Sequence, residues 1–419
     1  MWIPILAALV AVGTVTVGLA LDRSGHELGV PEPPFVVRWD PSLHPLAAIA
    51  LVLFAGAIVA GPRLIAARVH PLALGSGLFA LALVLGLALA AARDGTGAWD
   101  RVFDLARSGE APNEYLAALP ALQYGRGFFL DRFAELVPAL PVHAAGHPPG
   151  LLLVVDLLGL GTPARLTALC VVSGALAAPL TYALGRTVLD ERSARVAGLL
   201  MAMAPGVLRF GTTSADAVYI TLGLLAAWPL VSGRRLLGAA VLAAVSLFAW
   251  SLPAVGAWAC VLVLRRDGWR AALRLGLVCA GAMVVFHGAF AALTGFDPLG
   301  ALQQTSQVYK VGIATMRPYA FWLFGSPVAF LLALGVPIAW LSARSLAEGR
   351  DVALAIWSVL IVAAVIGFTK AETERIWLFF APFVCLAAAT QVRDRGLTPL
   401  LALLAAQALA AEALAGSVW

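Results

Sequence analysis

Apolar runs long enough to cross a bilayer recur along the whole chain, and arginines collect in every second gap between them. A helix needs about 20 residues to cross the hydrocarbon. Inside lipid its backbone groups must bond within their own segment. Runs of this kind lie at 3–21, 44–61, 71–92, 164–184, 195–210, 216–231, 235–250, 252–265, 271–293, 319–341, 351–368, 375–391 and 397–414, about 13 in all. Several are short for a full crossing, which predicts tilted or broken spans. Composition agrees, with 61% of residues hydrophobic and 12% charged, far from soluble usage. The expected fold is an all-α polytopic membrane protein of about 13 transmembrane helices in a single membrane domain. Run 3–21 lacks a basic flank and a cleavage site, so it reads as a span and not a signal peptide. Cys170, Cys260, Cys279 and Cys385 sit in apolar runs without metal-ligand spacing and read as core residues.

Direction follows from the arginines. With a cytoplasmic N-terminus, the inward connections carry Arg63 and Arg68; Arg186, Arg192 and Arg195; Arg234 and Arg235; Arg265, Arg266, Arg270 and Arg274; Arg344 and Arg350; Arg393 and Arg395. No short outward turn is an arginine cluster. The net charge of +5 is thus a topology signal, and no nucleic-acid partner is expected. Abundant Ala, Leu and Arg with little Lys points to a GC-rich bacterial genome, and the expected location is a bacterial plasma membrane. The apolar run 148–160 is too short to cross and opens with two prolines. Counting it as a span would put every later arginine cluster outside. It is expected to lie as a short helix at the outer interface, with Pro148 and Pro149 in its first turn.

The outward surface is then the Asp22–His44 loop, the long polar segment 92–163, the Leu293–Ala320 loop, and turns at 211–216 and 369–375. Segment 92–163 holds Asp94, Asp100, Asp104, Glu110, Glu114, Asp131, Glu135 and Asp156, with His143 and His147 near its end. Residues 99–107 and 128–137 mix apolar and charged residues at helical spacing, as amphipathic helices roofing a cavity would. Asp100 and Glu114 are alternative candidates for a general base; Asp100 also reads as an interfacial charge and Glu114 as a loop charge or cap. Asp216 follows Gly-Thr-Thr-Ser-Ala and reads as a further site acid or as a helix N-cap. Lys370, Glu372, Glu374 and Arg375 crowd one outer turn, and Lys310 with nearby Arg317 is a second cationic candidate. They are a phosphate clamp or solvated ion pairs. His143 and His147 could support substrate or metal. The metal set open to this site is Asp100, Asp216 and His147, for a divalent ion.

The order of features resembles the GT-C membrane glycosyltransferases, above all the protein O-mannosyltransferase and lipid A aminoarabinose transferase branch. It is carried by Trp99-Asp100, His147-Pro148-Pro149-Gly150-Leu151-Leu152, Gly159-Leu160-Gly161, Pro163-Ala164-Arg165-Leu166, Gly185-Arg186, Ala204-Pro205 and Asp216-Ala217. It covers about residues 71–231, with two extra spans in 1–70 and similarity only in hydropathy over 232–419. The resemblance implies transfer of a sugar from a polyprenyl-phosphate carrier in the membrane to an extracytoplasmic acceptor. Asp100 would match the family's first-loop acid and Asp216 its second. Asp100 is followed by Arg101 where the family has a second acid, so Glu114 competes for the base. The rival readings are a transporter or flippase for a lipid-linked or small anionic substrate, and a non-catalytic scaffold. A transporter predicts charged residues inside spans and inverted halves. Here the spans are nearly uncharged, His287 being the main exception.

Overall fold

The computed structural model describes residues 2–419. They are 77% helical, with one two-stranded antiparallel pair, Arg38–Trp39 against Ala415–Gly416. Among these residues six helices are long and apolar enough to cross a membrane. They are Trp2–Arg23, Ala47–Ala66, Pro71–Asp94, Pro163–Val188, Trp269–Thr294 and Asp394–Leu414. Two bent pairs raise the number to eight. The chain is a multi-pass helical membrane protein.

The other expected runs do not form full-length helices. Asp216–Val231, Arg235–Val245, Ala254–Asp267 and Asp351–Ile366 have 11 to 16 residues. At about 1.5 Å per residue none covers the hydrocarbon alone. Run 375–391 divides into Thr373–Ile376, Leu378–Phe380 and Ala381–Ala389.

Proline and glycine explain the two bends. Glu191–Met203 and Pro205–Thr213 meet at 60°. Pro205 cannot donate to the preceding turn, and Ala204 before it is extended. Tyr319–Leu334 and Val336–Ala347 meet at 115°. The hinge there is Gly335 at φ +141°, a conformation open to glycine, followed by Pro337. Helix starts are capped locally. Thr162 accepts from the Arg165 N–H ahead of Pro163, and Asp190 from the Ser193 N–H.

Burial separates centre from periphery. The apolar window of Pro163–Val188 is 61% buried, whereas those of Trp2–Arg23 and Trp269–Thr294 are 11% buried. The latter pair present Leu6, Leu9, Val284 and Val285 outward, a surface that suits lipid and not water. Gly174, on the central helix, lies against the Gly211 carbonyl, where a Cβ would come within 1.8 Å.

The polar connections sort into two sets. The arginine-bearing ones touch one another: Arg192 binds Asp394 and the Val392 carbonyl, Arg265 binds Asp351, Arg266 the Val188 carbonyl, and Arg195 the Ala67 carbonyl. The remaining loops meet each other instead. Val36 bonds to Glu374, Arg317 to the Gly29 and Lys370 carbonyls, and Thr305 to the Ala145 carbonyl. The run after His147 is the eight-residue helix Gly150–Leu157, about 12 Å long, its first N–H on the Leu247 carbonyl. It does not cross. Segment 92–163 is a chain of short helices. The expected amphipathic helix at 99–107 is only Ala98–Arg101, and that at 128–137 is interrupted at Arg132 between Arg126–Asp131 and Phe133–Leu136. The Leu293–Ala320 loop carries a helix, Pro298–Val311, that begins on the Asp297 side chain.

Candidate functional site

The non-arginine-cluster end of the bundle buries a charged cluster assembled from three distant segments. Asp216 starts the Asp216–Val231 helix, and its Oδ2 accepts from Arg375 Nη1 at 2.8 Å. Arg375 Nη2 donates to Glu372 Oε2 at 2.7 Å, and Arg317 grips the other Glu372 oxygen. One carboxylate is thus held between two guanidinium groups. The sharp turn that makes this possible puts Ala371 and Glu372 at positive φ, 65° and 55°, which costs an alanine and a glutamate roughly 1–2 kcal/mol each. Two arginines on one side chain offset that strain.

A second group lies beside the first. His143 sits in the Val142–Gly146 helix, with Nε2 3.2 Å from Glu110 Oε1 and 3.5 Å from Glu114 Oε1. His147 caps that helix in extended conformation, as a residue before proline should. Its Nδ1 lies 2.8 Å from the His143 carbonyl oxygen, and its ring stacks on Tyr219 at 5.1 Å. Tyr219 and Tyr115 share a hydroxyl–hydroxyl bond. Trp419 joins the two groups. Its indole N–H donates to Glu114 Oε1 at 3.2 Å, and the Arg375 guanidinium lies 4.1 Å from its ring centroid.

Burial sets the protonation of these groups. It pushes Glu114 upward, against the pull of His143 and Arg375. It pushes Glu374 up to about 7, although the Val36 N–H, 2.6 Å from its Oε1, favours the carboxylate. It lowers His147 to about 4, so that ring is neutral. At Glu372 burial acts in the same upward sense, but Arg375 and Arg317 outweigh it and hold the carboxyl at about 2. Glu114 Oε2, Glu374 Oε2 and Arg375 Nε are enclosed without a hydrogen-bond partner. Such orphans are costly unless something else meets them.

Of the residues singled out from the sequence, Glu114, His143, His147, Asp216, Glu374 and Arg375 are brought together, all buried except His147, which is half-buried. Asp100 is not. It binds Arg107 in a partly exposed pair, and Arg107 also holds Asp104. Lys310 is exposed on the Pro298–Val311 helix. Lys370 turns its ammonium to the Arg317 carbonyl at 2.6 Å, so it buttresses the turn behind the arginines. The metal set Asp100, Asp216 and His147 does not form, because Arg107 takes the first, Arg375 the second, and the His143 carbonyl one nitrogen of the third. Among the described residues the histidine–carboxylate group that does assemble is Glu110, Glu114 and His143.

Trp419, Arg209 and Glu412 belong to the site's wall without having been singled out. Arg209 donates to the Ala411 and Ala415 carbonyls and lies 3.7 Å from Glu412. With Arg93, Arg101 and Trp419 they line a cavity of about 20 Å³, room for a water. No protein-family model matches the chain, and no curated protein matches it in sequence.

Proposed function

We propose that this protein is a membrane glycosyltransferase of GT-C type, moving a sugar from a polyprenyl-phosphate carrier to an acceptor outside the cytoplasm. In this reading the chain crosses a bacterial plasma membrane about 13 times, with bent and shortened crossings among them. Its N-terminus is cytoplasmic and its buried cluster lies at the outer surface, opposite the arginine-rich connections. Glu114 is the base. It is buried, burial raises its proton affinity, and one of its oxygens has no partner. A carboxylate poised this way takes a proton from an acceptor hydroxyl. Arg375 and Arg317 face the leaving lipid phosphate, with Glu372 and Asp216 holding them in place until the anion arrives. His143, His147 and Glu374 shape the walls.

The observation that carries the reading is the meeting of a buried carboxylate, one of whose oxygens has no partner, with paired arginines, joined through Trp419. The test is transfer from a polyprenyl-phosphate sugar by purified protein in detergent. Glu114→Gln is expected to lower the rate by a factor of about 10²–10⁴, and Asp100→Asn to leave it within about twofold. Full transfer by Glu114→Gln would sink the assignment. One observation favours a transporter instead. A buried acid poised near 7 beside an arginine network, as Glu374 is, suits proton-coupled movement of an anion. Proton-driven uptake into proteoliposomes, abolished by Glu374→Gln, would favour that reading.

A further inference from the structure

We propose that residues 415–419 form a displaceable plug, with the Trp419 indole standing in the position that the acceptor takes in the working protein. The ring touches three site residues. Its N–H donates to Glu114 Oε1 at 3.2 Å, its centroid lies 4.1 Å from the Arg375 guanidinium carbon, and it meets the His143 ring edge-on at 6.2 Å between centroids. An N–H aimed at the base is what an acceptor hydroxyl would offer there. The indole satisfies its hosts only in part. Glu114 Oε2 and Arg375 Nε are enclosed and have no hydrogen-bond partner while the ring is in place. An indole has one donor and no acceptor, so it makes one such bond and no more. A hydroxylated acceptor carries donors and acceptors on neighbouring atoms. It can donate to Glu114 and accept from Arg375 at once, and unmet buried groups favour that exchange.

The segment is lightly attached. Ahead of it the chain is fixed: the Asp40 and Ser42 N–H groups donate to the Leu414 and Ala413 carbonyls, and Arg209 holds the Ala411 and Ala415 carbonyls. The strand pair with Arg38–Trp39 then ends at Gly416 after two residues, and so short a pair is marginal by itself. Among the described residues, Ser417, Val418 and Trp419 make no backbone–backbone hydrogen bond to another segment, and Val418 is 46% exposed. The Trp419 side chain is therefore the main anchor, and Gly416 is the point about which the segment swings. Naming an acceptor as the displacing group rests on the transferase reading; the movement does not.

The movement is tested on the full-length protein in detergent, with His143→Cys as a probe beneath the indole and a hydrophilic maleimide as the reagent. Peptide mass spectrometry reads the label at position 143 and at Cys385, which is 0% exposed and reports general unfolding. With Trp419 present, position 143 should label at least tenfold faster than Cys385, because the segment opens while the fold stays closed. Adding Trp419→Ala should speed position 143 at least tenfold again. Equal rates at the two positions with Trp419 present, or no acceleration without it, overturns the proposal. Should His143→Cys fail to fold, a nitroxide on Val418→Cys takes its place. Its spectrum should be mainly immobilised with Trp419 present and mainly mobile in Trp419→Ala; identical spectra overturn the proposal. Transfer is then measured with an octyl glycoside as the acceptor probe. Trp419→Ala should lower its KM at least threefold without lowering kcat, since the docked fraction no longer competes with it. A fall in kcat with KM unchanged overturns the plug and leaves the transferase standing. Opening of the segment with no transfer by any variant leaves the movement standing and rejects the transferase.

Discussion

Glu372 and Glu374 are two residues apart, the first partly buried and the second fully, and respond to pH in opposite senses. At Glu374 the folded carboxyl sits at about 7 against an ordinary 4.5. A raised folded value means that the folded state holds the proton more tightly. Its contribution is full below about pH 4.5 and is lost as pH rises through about 7. That separation corresponds to about 3 kcal/mol. Glu374→Gln keeps an oxygen for the Val36 N–H but cannot ionise. It should match the wild type near pH 5 to within about 1 kcal/mol, and exceed it by about 3 kcal/mol near pH 8. At Glu372 the folded value is about 2, and the sign reverses. Its contribution is present above about pH 4.5 and lost as pH falls through about 2. Glu372→Gln should cost about 3 kcal/mol near pH 6, with the deficit shrinking to about half of that near pH 3. Unfolding in detergent, followed by tryptophan fluorescence across pH 3–8, reads both. A Glu374→Gln protein less stable than wild type at pH 8 would refute the electrostatic account, as would a Glu372→Gln deficit that does not vary with pH.

Three further outcomes follow from the packing of the site. Arg375→Lys removes the fork that holds Asp216 and Glu372 together; transfer should fall at least tenfold, and stability by about 3 kcal/mol or more, because a point charge cannot serve two buried carboxylates at once. Gly174→Ala pushes a methyl into the Gly211 carbonyl; the Pro205–Thr213 helix has to shift, with a loss of about 1–3 kcal/mol and a drop in activity through Asp216, both absent in Gly146→Ala, where the added methyl meets nothing. Trp419→Phe keeps a ring over Arg375 and loses the N–H to Glu114, whereas Trp419→Ala loses both; thermal unfolding should show the alanine variant less stable than the phenylalanine variant by about 1–2 kcal/mol.

What could be read from the chain was what depends on period and on charge per segment. The apolar runs became helices, and the arginine-bearing gaps met each other at one end while the acidic loops met at the other. Glu114, His143, Asp216 and Arg375 converged because their loops were bound to the same end. Helix length was not legible. Pro205 and Gly335 bend two runs, and 375–391 breaks into short turns, where hydropathy alone sees unbroken spans. Nor was the difference in setting between Asp100 and Glu114 legible, since Arg107, seven residues on, captures Asp100 in a partly exposed pair while Glu114 is buried.

One signal was present in the sequence and carries further than its position suggests. Glu412 lies inside the last apolar run, and a carboxylate there is expensive unless something pairs with it. The chain offers few cations at that depth. Arg93 and Arg209 are the ones near span ends on the same side, and Arg209 lies 3.7 Å from Glu412, with Arg93 on the Glu412 carbonyl. Accepting that demand places the last helix beside Pro205–Thr213 and Pro71–Asp94. The five residues after Glu412's helix must then run back over the buried cluster, where Ala415–Gly416 pairs with Arg38–Trp39 and Trp419 reaches Glu114. A single buried charge, followed to its partner, thus explains why Trp419 closes the wall of a site whose acids come from the 92–163 segment, from Asp216 and from the 372–374 turn.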